Sequence, residues 1–304
     1  MANHSRLRRA FSRTVGHRLE AVAVYLIYGV LSLLPVEAAS SVGAWAGRTV
    51  GPRLRGHAKV LRRLERAMPE LTPEQRRAIA RQSWENLGRT MAEYPHIKTI
   101  SAQWDARIEM VGAEHLWALR DDGRPGICIT AHLANWEMAA LACHKMGLPL
   151  TMVYRAPNNP WVGRLLARAR GPLQGFLVPK GRESARGLMS TIRGGGHIGV
   201  LTDQKLNEGI PVPFFGRDAM TGAFTADLAL RYEAPIVPVR VTRLPATKGG
   251  PLFRVEAMAP MVLEKAGDRA TGTFAGMARV NALLESWVRA QPGQWMWSHN
   301  RWPD

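Results

Sequence analysis

Short apolar runs alternate with helical patterns from Gly126 to Ala290, and this alternation constrains the fold more than any other feature. Runs rich in Val, Ile, Leu and Phe are typical of buried strands, and the segments between them repeat apolar residues at helical spacing. The pattern predicts an α/β fold with a mixed, largely parallel sheet flanked by helices. Predicted strands cover 127–130, 150–154, 176–178, 198–202, 236–241 and 253–257, and predicted helices cover 135–147, 161–170, 183–193, 223–232 and 276–290.

A histidine and a carboxylate lie at the turn between the first of these strands and its helix. His132 follows the strand, and Glu137 falls in the first turn of the helix, for which Asn135 is the expected N-cap. A spacing of five residues separates side chains by roughly 140° on a regular helix, so the two can meet only if His132 lies in the turn. Glu137 would then accept a hydrogen bond from one imidazole nitrogen while the other nitrogen faces a substrate hydroxyl. We therefore predict a general-base pair, with His132 as the base and Glu137 as the carboxylate that orients it.

The bare H-x4-[DE] pattern is weak evidence without this context. With nine histidines and 24 acidic residues among 304, about 0.7 matches are expected by chance. A second match, His299 with Asp304, has no strand before it and no helix after it, and we treat it as coincidence. The alternative for His132 is a structural histidine that caps the helix and bonds to nearby backbone.

Polar residues just after predicted strands form a second group of candidates, because sheets of this kind present their chemistry at the carboxyl ends of the strands. Arg155 follows one strand and either binds a phosphate or a developing oxyanion or is a surface ion-pair partner. Arg170 ends the next helix and either offsets the C-terminal dipole of that helix or binds the substrate or oxyanion. Asp203 and Gln204 end another strand, where Asp203 can hold one of these arginines or cap the next turn. Together with Asn135, these four are our candidates for substrate or oxyanion binding.

The formal charge of +17 calls for an anionic partner, either a membrane surface or nucleic acid. Residues 1–82 contain 15 basic and five acidic side chains, which is ten of the 17 net charges, and they flank an apolar segment. This distribution favours an anionic bilayer surface over nucleic acid.

The apolar segment at 21–36 is the expected membrane anchor. Sixteen helical residues reach only about 24 Å, less than the roughly 30 Å of a hydrocarbon core, so the segment lies in the interface or dips into it. A cleaved signal peptide is disfavoured, because a second basic block at 48–81 is hard to translocate. The alternative is an apolar helix packed in the core. We predict an anchoring unit over 1–47 and a catalytic domain over 48–304, with a helical lead-in to about residue 120 and a capping box starting a helix at Thr72.

Several common catalytic devices do not occur in the sequence. It has no G-x-S-x-G elbow, no H-E-x-x-H and no Cys/His cluster, so we expect neither a serine hydrolase of the α/β-hydrolase type nor a metal or other cofactor. Cys128 and Cys143 are the only cysteines, and both are interpreted as buried small residues.

Several segments together resemble one family. The AHLANWE block at 131–137 resembles the H-x4-[DE] signature of the glycerolipid acyltransferase superfamily, in the form typical of the late acyltransferases of lipid A biosynthesis, the lauroyl and myristoyl transferases. Glutamate is usual in that branch, where many other members of the superfamily have aspartate. Further similar segments, in family order, are Tyr154-Arg155 with Asn158-Asn159-Pro160, Thr202-Asp203-Gln204, Pro213-Phe214-Phe215-Gly216, Pro235-Ile236-Val237-Pro238 and 295–302.

The resemblance implies an enzyme that transfers a fatty acyl chain from acyl carrier protein to a hydroxyl of a lipid A precursor, at the cytoplasmic face of the cell inner membrane. It also implies a catalytic role for an arginine near Arg170. Two alternatives stay open: the same chemistry on a lysophospholipid or another glycolipid, and a non-catalytic basic protein that binds membranes peripherally.

Overall fold

A computed structural model of the protein describes residues 2–154, 157–173, 175–179, 182–245, 250, 252–264 and 267–302. The helices are α1 Ala2–Ser32, α2 Val36–Val50, α3 His57–Ala67, α4 Pro73–Glu93, α5 Ile97–Ala102, α6 Trp104–Arg107, α7 Ala113–Asp121, α8 Glu137–Lys145, α9 Pro160–Ala169, α10 Arg182–Arg193, α11 Phe224–Tyr232 and α12 Arg269–Ala290. The strands are β1 Ile108–Val111, β2 Gly126–Thr130, β3 Leu150–Tyr154, β4 Phe176–Pro179, β5 His197–Leu201, β6 Ile210–Phe214, β7 Arg217–Thr221, β8 Ile236–Arg243 and β9 Phe253–Ala257.

Seven of these strands form one sheet in the order β1-β9-β8-β2-β5-β3-β4, and β6 and β7 form a separate antiparallel hairpin. Within the large sheet β8 and β9 run antiparallel, and the other neighbours are parallel. The mixed, largely parallel sheet is thus confirmed. Strand β1 and the hairpin were not predicted, because β1 is a short strand with a polar residue and the hairpin carries Pro211 and Pro213 in β6.

Alternate side chains of the central strand β2 face two layers of helices. Ile127 and Ile129 are fully buried in a core to which α3, α4, α10, α11 and α12 contribute, whereas Cys128 belongs to a second core with residues of α5, α7 and α8. Burying each isoleucine stabilises the fold by about 1.5–3 kcal/mol. Because both faces of β2 are covered, the strand has a continuous apolar sequence rather than an alternating one.

The lead-in helices pack closely through small residues. Gly43 and Gly47 on α2 lie against Gly88 on α4, and a Cβ added at any of the three would overlap the backbone of the opposite helix. At the start of α4, Thr72 accepts a hydrogen bond from the Gln75 amide while the Gln75 side chain accepts one from the Thr72 amide, so the predicted capping box is confirmed.

The apolar run at 21–36 is divided between two helices. Helix α1 ends at Ser32 and α2 starts at Val36, after Pro35, whose missing N–H and fixed φ suit the position before a helix. Among the described residues, no helix combines the length and apolarity needed to cross a membrane. The predicted boundary after residue 47 falls inside α2, and the close packing of α2 on α4 links it to the rest of the protein.

We predict that Gly88→Ala lowers the free energy of unfolding by about 1–3 kcal/mol, because the methyl group must push α2 and α4 apart. Gly29→Ala is the matched control, since nothing lies within 4 Å of its added Cβ in α1. The control should be neutral or gain up to about 1 kcal/mol from helix propensity. Chemical denaturation of both variants measures the difference, and equal effects would show that the glycine contact does not determine the spacing of the two helices.

Candidate active site

His132 and Asp203 come together because their strands are parallel neighbours. Strand β2 ends at Thr130 and β5 at Leu201, and the two pair in register along their whole length. Their carboxyl ends therefore release the chain at the same edge of the sheet, two residues before His132 and Asp203 respectively. The carboxylate of Asp203 lies 2.8 Å from the imidazole Nδ1 of His132.

Asp203 is 2% exposed and anchors three N–H groups. Besides Nδ1, the backbone amide of His132 and the indole Nε1 of Trp295 donate to its carboxylate, each at 2.8 Å. Burial alone would raise the pKa of Asp203, but the charge of His132 and the hydrogen bonds from His132 and Trp295 outweigh burial and lower the pKa to about 2. Asp203 is therefore an ionised acceptor at neutral pH.

An ionised Asp203 determines which nitrogen of His132 carries the proton. Nδ1 must donate to the carboxylate, so Nε2 keeps its lone pair in the neutral ring. The side-chain amide of Gln204 lies 3.0 Å from Nε2 and donates to it. His132 is 8% exposed, and in this tautomer Nε2 is the ring nitrogen that can accept a proton.

Glu137 has other partners, and the predicted hydrogen bond between Glu137 and His132 is not formed. The ring nitrogens of His132 face Asp203 and Gln204. One carboxylate oxygen of Glu137, Oε1, instead accepts from the Tyr94 hydroxyl at 2.6 Å and from two nitrogens of Arg170 at 2.6 and 3.0 Å. The turn directs the Glu137 side chain toward the ends of α9 and α4. The carboxylate that bonds to His132 comes instead from Asp203, just after the neighbouring strand β5.

The Tyr94–Glu137–Arg170 group is a buried charged cluster. Burial and the charge of Glu137 raise the pKa of Tyr94 well above its usual value, so the phenol stays protonated and donates. Burial disfavours the charge of Arg170, but Glu137 and Tyr94 outweigh that effect and raise its pKa. Arg170 thus has a guanidinium that is held in place by its partners, and 17% of its side chain is exposed to solvent.

Two other candidates have different outcomes. Asn135 is fully buried, with its amide nitrogen donating to Glu93 and its amide oxygen accepting from the Glu137 backbone, so it is not placed to contact substrate. Helix α8 begins at Glu137, with Trp136 rather than Asn135 at the N-cap position.

Arg155 lies outside the described residues, as does Asp304. Asp203 holds His132, and Arg170, one of the two arginines considered as its partners, is bonded to Glu137 instead.

The segment at 294–302 closes the site from the far end of the chain. The amide of Met296 donates to the carbonyl of His132 at 3.1 Å, and Trp295 pairs with Leu133 in an isolated β-bridge. The indole of Trp295 packs edge-on against Trp297, with ring centroids 4.6 Å apart. Neither Trp295 nor Tyr94 was predicted as a site residue, because nothing in their spacing points to partners 92 and 43 residues away.

His299 also lies at the site. Its Nε2 accepts a hydrogen bond from the backbone amide of Lys205 at 3.2 Å, which requires the neutral ring. Burial lowers the pKa of His299 to about 4; the charge of Asp203 opposes this lowering, and the charges of His132, Arg63 and Arg301 add to it. His299, whose spacing to Asp304 we treated as coincidence, is therefore close enough to Asp203 and His132 for their charges to act on it.

In the part of the chain that the structure describes, no group of three or more His, Cys, Asp or Glu side chains is arranged to hold a metal ion. Cys128 and Cys143 are both buried, as expected, with their sulfur atoms 3.9 Å apart.

At this edge of the sheet a histidine is bonded to a buried carboxylate, and five residues further along the chain a glutamate holds an arginine. The sequence profile of the family described as "Bacterial lipid A biosynthesis acyltransferase" matches residues 9–304. The chain belongs to the bacterial lipid A biosynthesis acyltransferase family.

The acyltransferase is similar over most of its length to curated relatives. It is 26% identical over 292 residues to the lipid A biosynthesis lauroyltransferase of Escherichia coli, which covers 91% of this chain and 90% of the relative. It is 23% identical to the palmitoleoyltransferase of the same organism, over 90% of this chain and 88% of the relative. A solved 1-acyl-sn-glycerophosphate acyltransferase from Thermotoga maritima has a TM-score of 0.36 and 11% identity, covering 83% of this chain and 98% of that one.

The family confirms an enzyme that transfers an acyl group to a lipid A precursor, against the alternative of a non-catalytic binding protein. The lipid A acceptor likewise takes precedence over a lysophospholipid or another glycolipid.

We predict that the acyltransferase loses stability between pH 6.5 and 4 partly through His299. Its pKa is about 4 in the folded state against 6.5 for an ordinary histidine, so the unfolded chain binds the proton first as the pH falls. Stability from neutral His299 is complete above pH 6.5 and is lost progressively toward pH 4.

His299→Gln should remove about 1 kcal/mol of the difference in unfolding free energy between pH 7 and pH 5, allowing for the partial exposure of the ring. Urea unfolding at the two pH values measures it. An unchanged pH dependence in the variant would show that His299 is not held neutral.

Proposed function

We propose that His132 is the general base of the acyl transfer and that Asp203 orients it. The observation that supports this role is the Asp203–His132 pair, which leaves the Nε2 lone pair directed away from the carboxylate. A base of this kind needs a fixed tautomer and an anionic partner that stabilises the imidazolium. Asp203 meets both needs, because it is ionised, buried and bonded to three N–H groups.

In the proposed reaction, the acceptor hydroxyl displaces the Gln204 amide and donates to Nε2 of His132. As the proton moves to Nε2, the oxygen forms a bond to the carbonyl carbon of the acyl thioester. The tetrahedral oxyanion then collapses, the carbon–sulfur bond breaks, and the thiolate takes the proton from the imidazolium. His132 is thereby returned to its neutral form.

We assign oxyanion stabilisation to the displaced amide of Gln204 and to Arg170, whose guanidinium is fixed by Glu137. Glu137 is thus a positioning residue for Arg170 rather than the partner of His132. Arg155 keeps the anion-binding role expected from the sequence.

The proposed donor is acyl carrier protein, as the family resemblance implies. A fatty acyl thioester on a carrier supplies the leaving thiol that the reaction requires. The basic surface of α3, where Lys59, Arg62 and Arg66 are exposed, suits an anionic partner of either donor or lipid type.

The outer face of α1 is the proposed membrane contact, at the cytoplasmic face of the inner membrane. Leu19, Val22, Leu26 and Val30 are spaced by three or four residues and are 59–67% exposed, so they form one apolar stripe on the helix surface. The opposite face of α1 packs on the protein through Ala21 and Leu31. Such a stripe beside a basic N-terminus is typical of a helix that lies in the interface of an anionic bilayer.

His132→Ala should lower turnover by about 10² to 10⁴ without unfolding the protein. Asp203→Asn should have an effect of similar size, because it loses the charge that stabilises the imidazolium and favours the wrong tautomer. The measurement is release of free thiol from an acyl-carrier-protein thioester in the presence of a lipid A precursor, with mass spectrometry of the acylated lipid. Replacing the carrier-protein thioester with acyl-CoA tests whether the donor must be acyl carrier protein. Near-normal turnover of His132→Ala with intact circular dichroism would end the general-base assignment.

A triple substitution in α1, Leu19→Glu with Leu26→Glu and Val30→Glu, should weaken binding to vesicles that contain anionic lipid by about 100-fold or more, because three apolar contacts are lost. The matched control, Arg62→Gln with Arg66→Gln, keeps the stripe and should weaken binding only at low salt. Vesicle co-sedimentation at two salt concentrations separates the two effects. If the triple variant bound as the unaltered protein does, the attachment would lie elsewhere on the surface.

A further inference from the structure

The turn at 131–137 contains backbone that needs outside support. Ala134 has φ of 48°, a left-handed conformation that is unfavourable for residues with a Cβ. The position is also fully buried, so its carbonyl is out of reach of bulk solvent. Helix α4 supplies partners from a distant part of the chain: Asn86 and Thr90 donate to the Ala134 carbonyl at 3.1 and 2.8 Å.

We propose that the end of α4, Glu93 with Tyr94, is the device that positions the catalytic turn, holding it at two points. This role rests on the general-base function proposed for His132. Glu93 holds the turn at Asn135, and Tyr94 holds it at Glu137, so adjacent residues of one helix end fix both sides of the segment that follows Ala134.

Glu93 is fully buried, and both oxygens of its carboxylate accept hydrogen bonds. Its Oε2 accepts from the Asn135 amide at 3.0 Å and from Arg243, which also contacts Oε1. Ser40 of α2 donates to Oε1 at 2.7 Å. A carboxylate with a paired arginine and satisfied oxygens can stay charged in the interior, and breaking such a pair usually costs several kcal/mol. Glu93 is therefore a rigid anchor for Asn135.

Asn135 passes this restraint to the start of α8. Its amide oxygen accepts from the backbone N–H of Glu137 at 3.3 Å while its amide nitrogen is held by Glu93. The position of the first turn of α8 thus depends on Glu93. That turn carries the Glu137 side chain, on which Arg170 depends.

Tyr94 acts on the other side. Its hydroxyl donates to Glu137 at 2.6 Å and accepts from Arg170 at 2.9 Å, and the Arg170 guanidinium lies over its ring at 5.5 Å. Removing the hydroxyl leaves Glu137 and Arg170 paired but free to rock about that pair. A displacement near 1 Å at a reacting centre can cost about 100-fold in rate.

The test compares substitutions that differ only in whether they touch the turn. Asn135→Ala should lower kcat about 10- to 100-fold and Tyr94→Phe about 10-fold, with KM for donor and acceptor nearly unchanged. Ser40→Ala removes a hydrogen bond from the same Glu93 carboxylate on the side facing α2, and it should leave kcat within about twofold. We avoid replacing Glu93 itself, because an unpaired Arg243 would threaten folding.

Hydrogen exchange of the backbone amides at 131–137 gives a readout that does not depend on the chemistry. Exchange there should quicken in Asn135→Ala and Tyr94→Phe but not in Ser40→Ala, while the midpoint of thermal unfolding stays close to that of the unaltered protein. Unchanged exchange and kcat in the first two variants would overturn the positioning role. Faster exchange with unchanged kcat would support the positioning role and instead count against the catalytic assignment of this turn.

Discussion

The buried carboxylate of Asp203 is the interaction on which the site depends. It joins three separate parts of the chain: its own strand end after β5, the turn after β2, and the indole of Trp295. A carboxylate at 2% exposure is stable only with partners of this kind, because desolvation otherwise favours the neutral acid. The same bonds that make Asp203 tolerable in the core set the tautomer of His132. The stability of the fold and the tautomer of His132 therefore depend on the same bonds.

Much of the fold follows from the sequence, because it is recorded in local patterns. Strands β3 and β9 have the predicted bounds, and β2 and β8 differ from them by only one or two residues. The capping box at Thr72 was also readable, since its two partners lie three residues apart. Local sequence patterns did not predict β1, which is short and contains a polar residue, or β6, where prolines interrupt the strand pattern.

The sequence predicted where in the chain the candidate site lies, but not which side chains bond to one another there. His132 stood out through its strand, turn and helix, and the expectation that polar residues at strand ends lie together also singled out Asp203 and Gln204, which contact His132. Which carboxylate meets the imidazole depends on strand order, and β2 and β5 are neighbours only in the folded sheet. Glu137, five residues from His132, was the obvious partner along the chain, yet Asp203 at a separation of 71 residues forms the bond. No sequence spacing predicts that Trp295 bonds to Asp203 or that Tyr94 bonds to Glu137.

The bridge between Leu133 and Trp295 and the bond from Ser83 to the Trp295 carbonyl join segments 162 and 212 residues apart. Contacts of such long sequence separation form late, since a large loop must close before they contribute. On the ribosome, α1 and the lead-in helices emerge well before Trp295 has been synthesised. The hydrogen bonds that hold the turn at His132 are therefore complete only once the C-terminal segment 294–302 has been synthesised.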